Sequence, residues 1–403
     1  MLVFYALAAL VVLQSLLSLR GGVRYLRFFR RELESPRALY MPFASVFVPC
    51  RGMDQGLRLN LAALFRQHYP AYELVFVSDR ADDPALEVAR QLSREFEGET
   101  VASARFVVAG KASDSGQKVH NLRAAVAEAD ASSEVFVFVD TDARARADWL
   151  RALVAPLADE GAGAATGYRW FLPARGGLAS QLRSVWNASI ASALGPSVGS
   201  NFCWGGSTAV RRETFERLNM SERWRGTVSD DYALTRALRE ARLPIRFVPA
   251  CLTASVEDCT LPELFEFTTR QLKITRVYAP KLWAFVLVSN LLFVAVFFGG
   301  LLLSAGRAAA GLPFVWPLVV VFVIFLLGLW KAFFRLRAVA LVLEEHHGRL
   351  RRDAWAHLVL WPLTAALFLY NAAAAAVSRR IRWRGIGYEL KSPTETEIIG
   401  PDA

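Results

Sequence analysis

The triplet Asp140-Thr141-Asp142 leaves the apolar run VFVFV and so places two carboxylates one residue apart beyond a strand. Carboxylates at that spacing in a turn can face one hard divalent cation. Mg²⁺ or Mn²⁺ prefers oxygen ligands and takes substrate phosphates as the remaining ones. A further aspartate, Asp79, ends the run ELVFVS. Carboxylates at successive strand tips repel each other without a cation or a ligand's donors between them; the plainer reading is that each caps the helix that follows. Ser229-Asp230-Asp231-Tyr232 opens a helical run to Ala241. Acids there are favoured by the helix dipole. An exposed aspartate at a rigid helix start can also act as a general base on a hydroxyl, Asp231 ahead of Asp230. Gln117-Lys118-Val119-His120-Asn121-Leu122 opens another helix. A lysine at a helix N-terminus opposes the dipole, so Lys118 is expected to meet an anion, such as a diphosphate drawn to the same end. The alternative is a solvated lysine.

Such side chains need strand ends to hold them. Phe43–Pro49, Glu73–Ser78, Ala104–Ala109 and Glu134–Val139 read as strands, the first nearly continuous in apolar residues, as buried parallel strands are. Between them, 56–68, 84–96 and 116–128 read as helices. Asp82 or Asp83 is placed to cap the second, with Pro84 in its first turn. Repeated β-α-β units of these lengths predict an α/β, doubly wound parallel sheet, whose ligands bind beyond the carboxyl ends of the strands.

The chain has 403 residues, 54% of them hydrophobic and 21% charged, which excludes a disordered chain. Four cysteines are too few for a disulfide scaffold. The apolar excess sits at the two ends. Leu2–Leu19 carries no charge and is long enough to span a hydrocarbon core of ~30 Å. It lacks a basic leading segment and a clean cleavage site, so it reads as an uncleaved anchor rather than a signal peptide. Trp283–Leu303 and Leu312–Trp330 are uncharged runs joined by a short loop, and Trp355–Val377 carries only His357. The basic connector 331–353, with Glu344-Glu345-His346-His347, reads as a cytoplasmic surface segment, its histidines as solvated polar surface rather than a metal site.

The net charge of +10 flanks these runs. Arg20, Arg24, Arg27, Arg30 and Arg31 put the following block in the cytoplasm by the positive-inside rule. Arg379, Arg380, Arg382 and Arg384 ask the same of the tail. Four spans from an outside N-terminus would instead leave the tail outside, so two rules conflict. The membrane-flanking charge and the lack of any nucleic-acid motif argue against a nucleic-acid partner. Cys50, Cys203, Cys251 and Cys259 are expected as free thiols in a reducing compartment, and none has zinc spacing. The expected division is an anchor and basic segment (1–41), the α/β domain (42–281), membrane helices (282–378) and a tail (379–403).

The stretches VFVPCRGMD (46–54), YPAYELVFVSDRADDPA (69–85), GQKVHNL (116–122), VFVFVDTDAR (135–144), CWGGSTAVRRETFE (203–216) and SDDYALTRAL (229–238) together resemble a membrane-bound family 2 glycosyltransferase, nearest to the ceramide glucosyltransferase branch. The resemblance implies a nucleotide-sugar (GT-A) fold. It puts Asp79 near the uracil, Lys118 and Asn121 near the donor, Asp140 and Asp142 at the metal and sugar, and Asp231 as catalytic base. Gly205, Gly206 and Ser207 fall on the acceptor side. One motif departs from the family's: no Arg-Trp pair follows in Thr269–Arg276. Arg270, Gln271, Lys273 or Arg276 would then serve the leaving diphosphate, and a processive polysaccharide synthase is disfavoured. Trp383-Arg384-Gly385-Ile386-Gly387-Tyr388 resembles a tail motif of bacterial relatives; an interfacial anchor is the plainer reading.

The expected reaction is inverting, metal-dependent transfer (Mn²⁺ or Mg²⁺) from a UDP-sugar, UDP-glucose by resemblance, to a lipid hydroxyl at the cytoplasmic face of a plasma or inner membrane. The acceptor is ceramide or a related lipid, with a polysaccharide or polyprenyl phosphate as the alternative. Two other classes compete: a transporter with a nucleotide-sensing domain, disfavoured because its spans carry almost no ionisable residues, and a catalytically dead nucleotide-sugar-binding membrane protein. Donor turnover with a lipid acceptor separates both from the enzyme.

Overall fold

The computed structural model describes residues 1–98 and 103–400. The chain divides into two compact units. The sheet unit comprises Glu32–Phe171, Ala193–Val256 and Arg379–Ala403; the helical unit comprises Met1–Arg31, Leu172–Ser192 and Glu257–Ser378. The tail thus groups with the sheet, whereas 172–192 and 257–281, expected within the α/β domain, group with the helices.

The main sheet has seven strands: β1 (Ala44–Pro49), β2 (Tyr72–Ser78), β3 (Ser103–Val108), β4 (Val135–Val139), β5 (Ala164–Leu172), β6 (Ser207–Arg211) and β7 (Ile245–Val256). Their order is β3-β2-β1-β4-β6-β5-β7. Pairing is parallel from β3 through β4. Alternate residues of these strands feed two cores. Val46, Val48, Leu74, Phe76, Val135 and Val137 pack on one face with the helices Leu57–Phe65 and Pro84–Glu95. Phe47, Val75, Val77, Phe136 and Phe138 pack on the other with Val119, Leu122, Phe215, Trp224 and Leu234. Both faces being covered makes the strands apolar throughout, which is why they were readable. The sheet is doubly wound, with helices packed on both faces, but it is not parallel throughout. β6 runs antiparallel to β4, and β5 antiparallel to β6. The expectation came from β1–β4, each followed by a helix that returns the chain to the same edge; the later chain does not repeat that unit.

The tail forms a second sheet, ordered β10-β9-β8, of β8 (Arg380–Trp383), β9 (Ile386–Ser392) and β10 (Glu395–Ile399). It replaces the expectation of an interfacial anchor for Trp383–Tyr388. The four cysteines are free thiols, and Cys50, Cys203 and Cys251 are buried.

In the helical unit, Leu2–Glu34, Pro280–Ala309 and Val315–Ala340 are long and apolar enough to cross a membrane. The apolar run Trp355–Val377 is broken. Helices ending at Val359 and starting at Trp361 meet at a 69° bend. Pro362 stands in the first turn of the second helix, where it lacks an N–H and disfavours helical backbone before it. The connector is also shorter than expected, because the helix from Val315 runs to Ala340. Small residues allow close packing within this unit. A Cβ on Gly328 would collide with the Trp361 ring, and one on Gly300 with Val321.

Candidate active site

β1, β2 and β4 end side by side, and their carboxyl ends carry the acids. Asp79 follows β2 and Asp140 follows β4; Asp54 lies in the loop after β1. Each acid meets a cation. Arg51 Nη1 lies 3.1 Å from Asp79 Oδ2, Lys118 Nζ 2.8 Å from Asp140 Oδ1 and Arg169 Nη1 2.7 Å from Asp142 Oδ2. Arg384 holds both oxygens of Asp54, at 2.6 and 2.9 Å. Thr141, between the two aspartates of the triplet, is buried; its hydroxyl donates to Asp54 Oδ2 at 2.9 Å and its carbonyl accepts from Asn60 Nδ2 at 3.0 Å.

Lys118 is neither solvated nor facing open space. It also reaches Asp230 Oδ1 at 3.3 Å. Its burial alone would push the ammonium's pKa down, but Asp140, Asp230 and Asp231 outweigh that and hold it well above the usual lysine range. Burial likewise opposes the charge on Asp140, and Lys118, Arg169 and Arg384 overcome it, keeping the carboxyl below its ordinary value. Asp230 goes the other way. Burial pushes it up to about 6 against the pull of Lys118, with Asp231 and Asp140 adding to the rise.

Asp231 sits at the start of the helix Asp230–Glu240, which Ser229 caps. Its Oδ1 accepts from the Ser229 hydroxyl and, at 2.8 Å, from the Tyr232 amide; its Oδ2 accepts from the Gly205 amide at 3.4 Å. Three donors fix this half-buried carboxylate while its neighbour Asp230 is buried. Gly205 must lack a side chain, since a Cβ there would fall 2.8 Å from Lys118 Nζ and collide with Asp230. Gly206 is tight against the Trp204 ring.

Other expected residues lie differently. Ser207, expected on the acceptor side, is fully buried in β6, where its hydroxyl accepts from Trp149 Nε1 at 2.9 Å. Asn121 is buried, and its side-chain oxygen accepts from Gln117 Nε2 at 2.8 Å. Arg270, Gln271, Lys273 and Arg276 are on the helix Leu261–Tyr278 of the helical unit. There Arg270 stacks over Phe267, and Arg276 stacks over Trp283 and donates to the Ala375 carbonyl. Sequence reasoning missed Arg51, Asp54, Arg169 and Arg384 as site residues. Arg169 gave one signal, a lone cation inside the apolar strand run AATGYRWFL. It stacks over Phe171 and Trp204, with its charge on Asp142.

The acids suit a hard divalent cation. Asp142 Oδ1 is buried with no hydrogen-bond partner, a lone pair aimed at nothing the chain supplies. The named cluster also holds six aspartates against four cations. Among the described residues no three His, Cys, Asp or Glu side chains converge on one point. A cation held by Asp140 and Asp142 would take its other ligands from a diphosphate and water.

Several solved structures are similar to this chain. A mannosyltransferase from Pyrobaculum calidifontis, in complex with GDP-Man and Mn²⁺, is 17% identical at a TM-score of 0.45, over 92% of this chain and 98% of that one. Glucosyl-3-phosphoglycerate synthase from Mycobacterium tuberculosis, with Mn²⁺ and UDP-glucose, is 16% identical at 0.33, over 58% and 78%. GalNAc-T7, with UDP, GalNAc and Mn²⁺, is 13% identical at 0.40, over 59% and 49%. At these TM-scores none of them bears on the chemistry of this chain. The model of glycosyl transferase family 21 matches residues 3–396, nearly the full length, and the chain belongs to that family of glycosyltransferases.

Proposed function

We propose that this glycosyltransferase moves a hexose, with inversion, from a UDP-sugar to the hydroxyl of a membrane lipid. UDP-glucose and ceramide, or a related lipid, follow from the resemblance to the ceramide glucosyltransferase branch. The observation that carries the reading is the aspartate cluster at the ends of β1, β2 and β4, with a buried, unpartnered oxygen on Asp142 and a second, separately held carboxylate on Asp231. Bound at Asp140 and Asp142, Mn²⁺ or Mg²⁺ would neutralise charge on the departing diphosphate. Asp79 would hold the uracil, and Lys118, between Asp140 and Asp230, would offset their mutual repulsion on the donor side of the site. Asp231 would take the proton of the acceptor hydroxyl as that oxygen attacks from the face opposite the leaving group. Its three donors fix its direction, and no covalent intermediate is needed.

The test is release of UDP by purified protein from a panel of UDP-sugars, with and without lipid extract. Release that depends on lipid supports the reading. Preference for GDP-sugars would overturn the donor assignment, and binding without turnover would leave a nucleotide-sugar-binding protein.

The same reading resolves the conflict over the tail. β8–β10 belong to one compact unit with β1–β7, so the chain must cross the membrane an even number of times between Val256 and Arg379. The helices Pro280–Ala309 and Val315–Ala340 provide two crossings. The bent pair ending at Val377 would then return to the face it entered from, and both arginine clusters would lie in the cytoplasm. Thiol labelling of Asp82→Cys, Thr394→Cys and Leu312→Cys in sealed vesicles checks this. The first two should react from one side and the third from the other; opposite sides for positions 82 and 394 would refute it.

A further inference from the structure

The reading above gives the tail hairpin no task, yet its turn stands among the acids. We propose that Arg384 is a positioning residue for the donor, tying the residue read as the uracil contact, Asp79, to the pair read as the diphosphate–metal contact, Asp140 and Asp142. The proposal rests on that reading of the three aspartates.

Both arms of the tie start at Arg384. Its guanidinium holds Asp54 with two parallel bonds, the geometry that fixes a carboxylate in direction as well as distance. Asp54 Oδ2 in turn accepts from the Thr141 hydroxyl at 2.9 Å, and Thr141 is the residue between Asp140 and Asp142. The Arg384 carbonyl accepts from Arg51 Nε at 3.2 Å, and Arg51 Nη1 pairs with Asp79. One residue of the tail therefore sets the loops after β1, β2 and β4 relative to one another.

The turn's backbone supports a role for the side chain. Arg384 and Gly385 link β8 to β9 with φ of 51° and 79°. A two-residue hairpin loop with both φ positive favours Asn-Gly or Asp-Gly, because a Cβ is strained there. Arginine is a poor choice for making this turn, and a strained residue that also carries a specific contact points to function. The hairpin is seated independently of Arg384. The buried Tyr388 hydroxyl accepts from the Gln117 amide at 3.1 Å, and Gly226 packs so closely on Thr394 that a Cβ would collide with its carbonyl. Removing the guanidinium should free Asp54, and through Thr141 the 140–142 loop, from the Arg51–Asp79 arm that the Arg384 carbonyl still holds, without releasing the tail.

The experiment uses the full-length protein in nanodiscs, with UDP-glucose and lipid varied in turn, for Arg384→Ala, Arg384→Lys, Asp54→Asn and the double variant Arg384→Ala/Asp54→Asn. Arg384→Ala should raise the donor KM ~10–100-fold, the usual cost of losing a group that orients a ligand-binding carboxylate. The kcat and acceptor KM should stay near wild type. Arg384→Lys should recover only part, since an ammonium cannot hold both oxygens. Asp54→Asn should raise the donor KM too, and the double variant should add little, because the pair acts as one unit. An unchanged donor KM, a loss of kcat and melting temperature without a KM change, or additive effects would each overturn the proposal. If the wild type turns over no UDP-sugar, the functional reading fails by itself. Hydrogen exchange without ligand then still reads the tie: faster exchange in both 51–54 and 140–142 on Arg384→Ala supports it, and unchanged exchange refutes it.

Discussion

The parallel half of the main sheet supplies four of the six aspartates of the site with Arg51 and Lys118, whereas the chain outside it supplies Asp230, Asp231, Arg169 and Arg384. Asp54, Asp79, Asp140 and Asp142 all lie just beyond β1, β2 and β4, where the chain leaves a buried strand. Of their cations only Arg51 comes from the same loops. Lys118 stands at a helix start, Arg169 within β5 and Arg384 in the tail hairpin. These four acids and Lys118 are thus placed by local pattern, and Arg169 and Arg384 by tertiary approach. A site built this way can exchange partners: a divalent cation can take over carboxylates that lysine and arginine hold, and a diphosphate can take over the basic groups.

The largest effect should come from breaking the acidic side at the metal position. Asp142→Asn keeps an oxygen for Arg169 but removes the charge, and transfer should fall to background with the fold retained by circular dichroism. Excess chelator should do the same to the wild type. Full turnover in chelator would mean that the cations of the chain itself suffice.

Asp231→Asn should lower kcat by ~10²-fold or more, the contribution of a general base, and leave nucleotide affinity unchanged. Asn keeps one acceptor oxygen, for the Tyr232 amide and the Ser229 hydroxyl, and gives up only the long 3.4 Å bond from the Gly205 amide, so the helix start should survive. Collapse of UDP binding in a titration would place Asp231 with the donor residues and make Asp230 the next candidate base.

On the cation side, Arg169→Met preserves the packing on Phe171 and Trp204 and removes the partner of Asp142. Donor affinity should fall roughly tenfold, as for other residues that orient a ligand-binding group. Donor affinity equal to wild type would show that the acids alone define the subsite.

The same contrast explains what was legible. β1, β2 and β4 were readable because both of their faces are buried, and they and the half-buried edge strand β3 are each followed by a helix. Asp79 and Asp140 were readable because they end such strands. β5–β7 offer no repeat of that unit, and β8–β10 pair within a tail whose Trp and Tyr suit a membrane interface equally well. Asn121 and Ser207 have the residue types of ligand contacts, but burial and the bonds to Gln117 and Trp149 are tertiary facts. Arg384 lies 330 residues from Asp54, and no spacing rule reaches that far.

The smallest effect concerns Asp230, the acid of the cluster that burial shifts against the trend. Its carboxyl rises from the ordinary 3.8 to about 6, so the folded chain holds the proton more tightly than the unfolded chain does. The contribution of this one carboxyl to stability is then greatest at low pH and is lost as pH rises from about 4 through about 6; the shift of about two units corresponds to on the order of 3 kcal/mol. Asn resembles the neutral acid, so Asp230→Asn should melt several degrees above wild type at pH 8 and together with it near pH 4. Lys118 keeps Asp140 at 2.8 Å in that variant, which limits the loss from removing its second partner. Melting curves in the two buffers decide the matter. A variant less stable than wild type by the same margin at both pH values would mean that the Lys118–Asp230 pair outweighs burial and that Asp230 is ionised throughout.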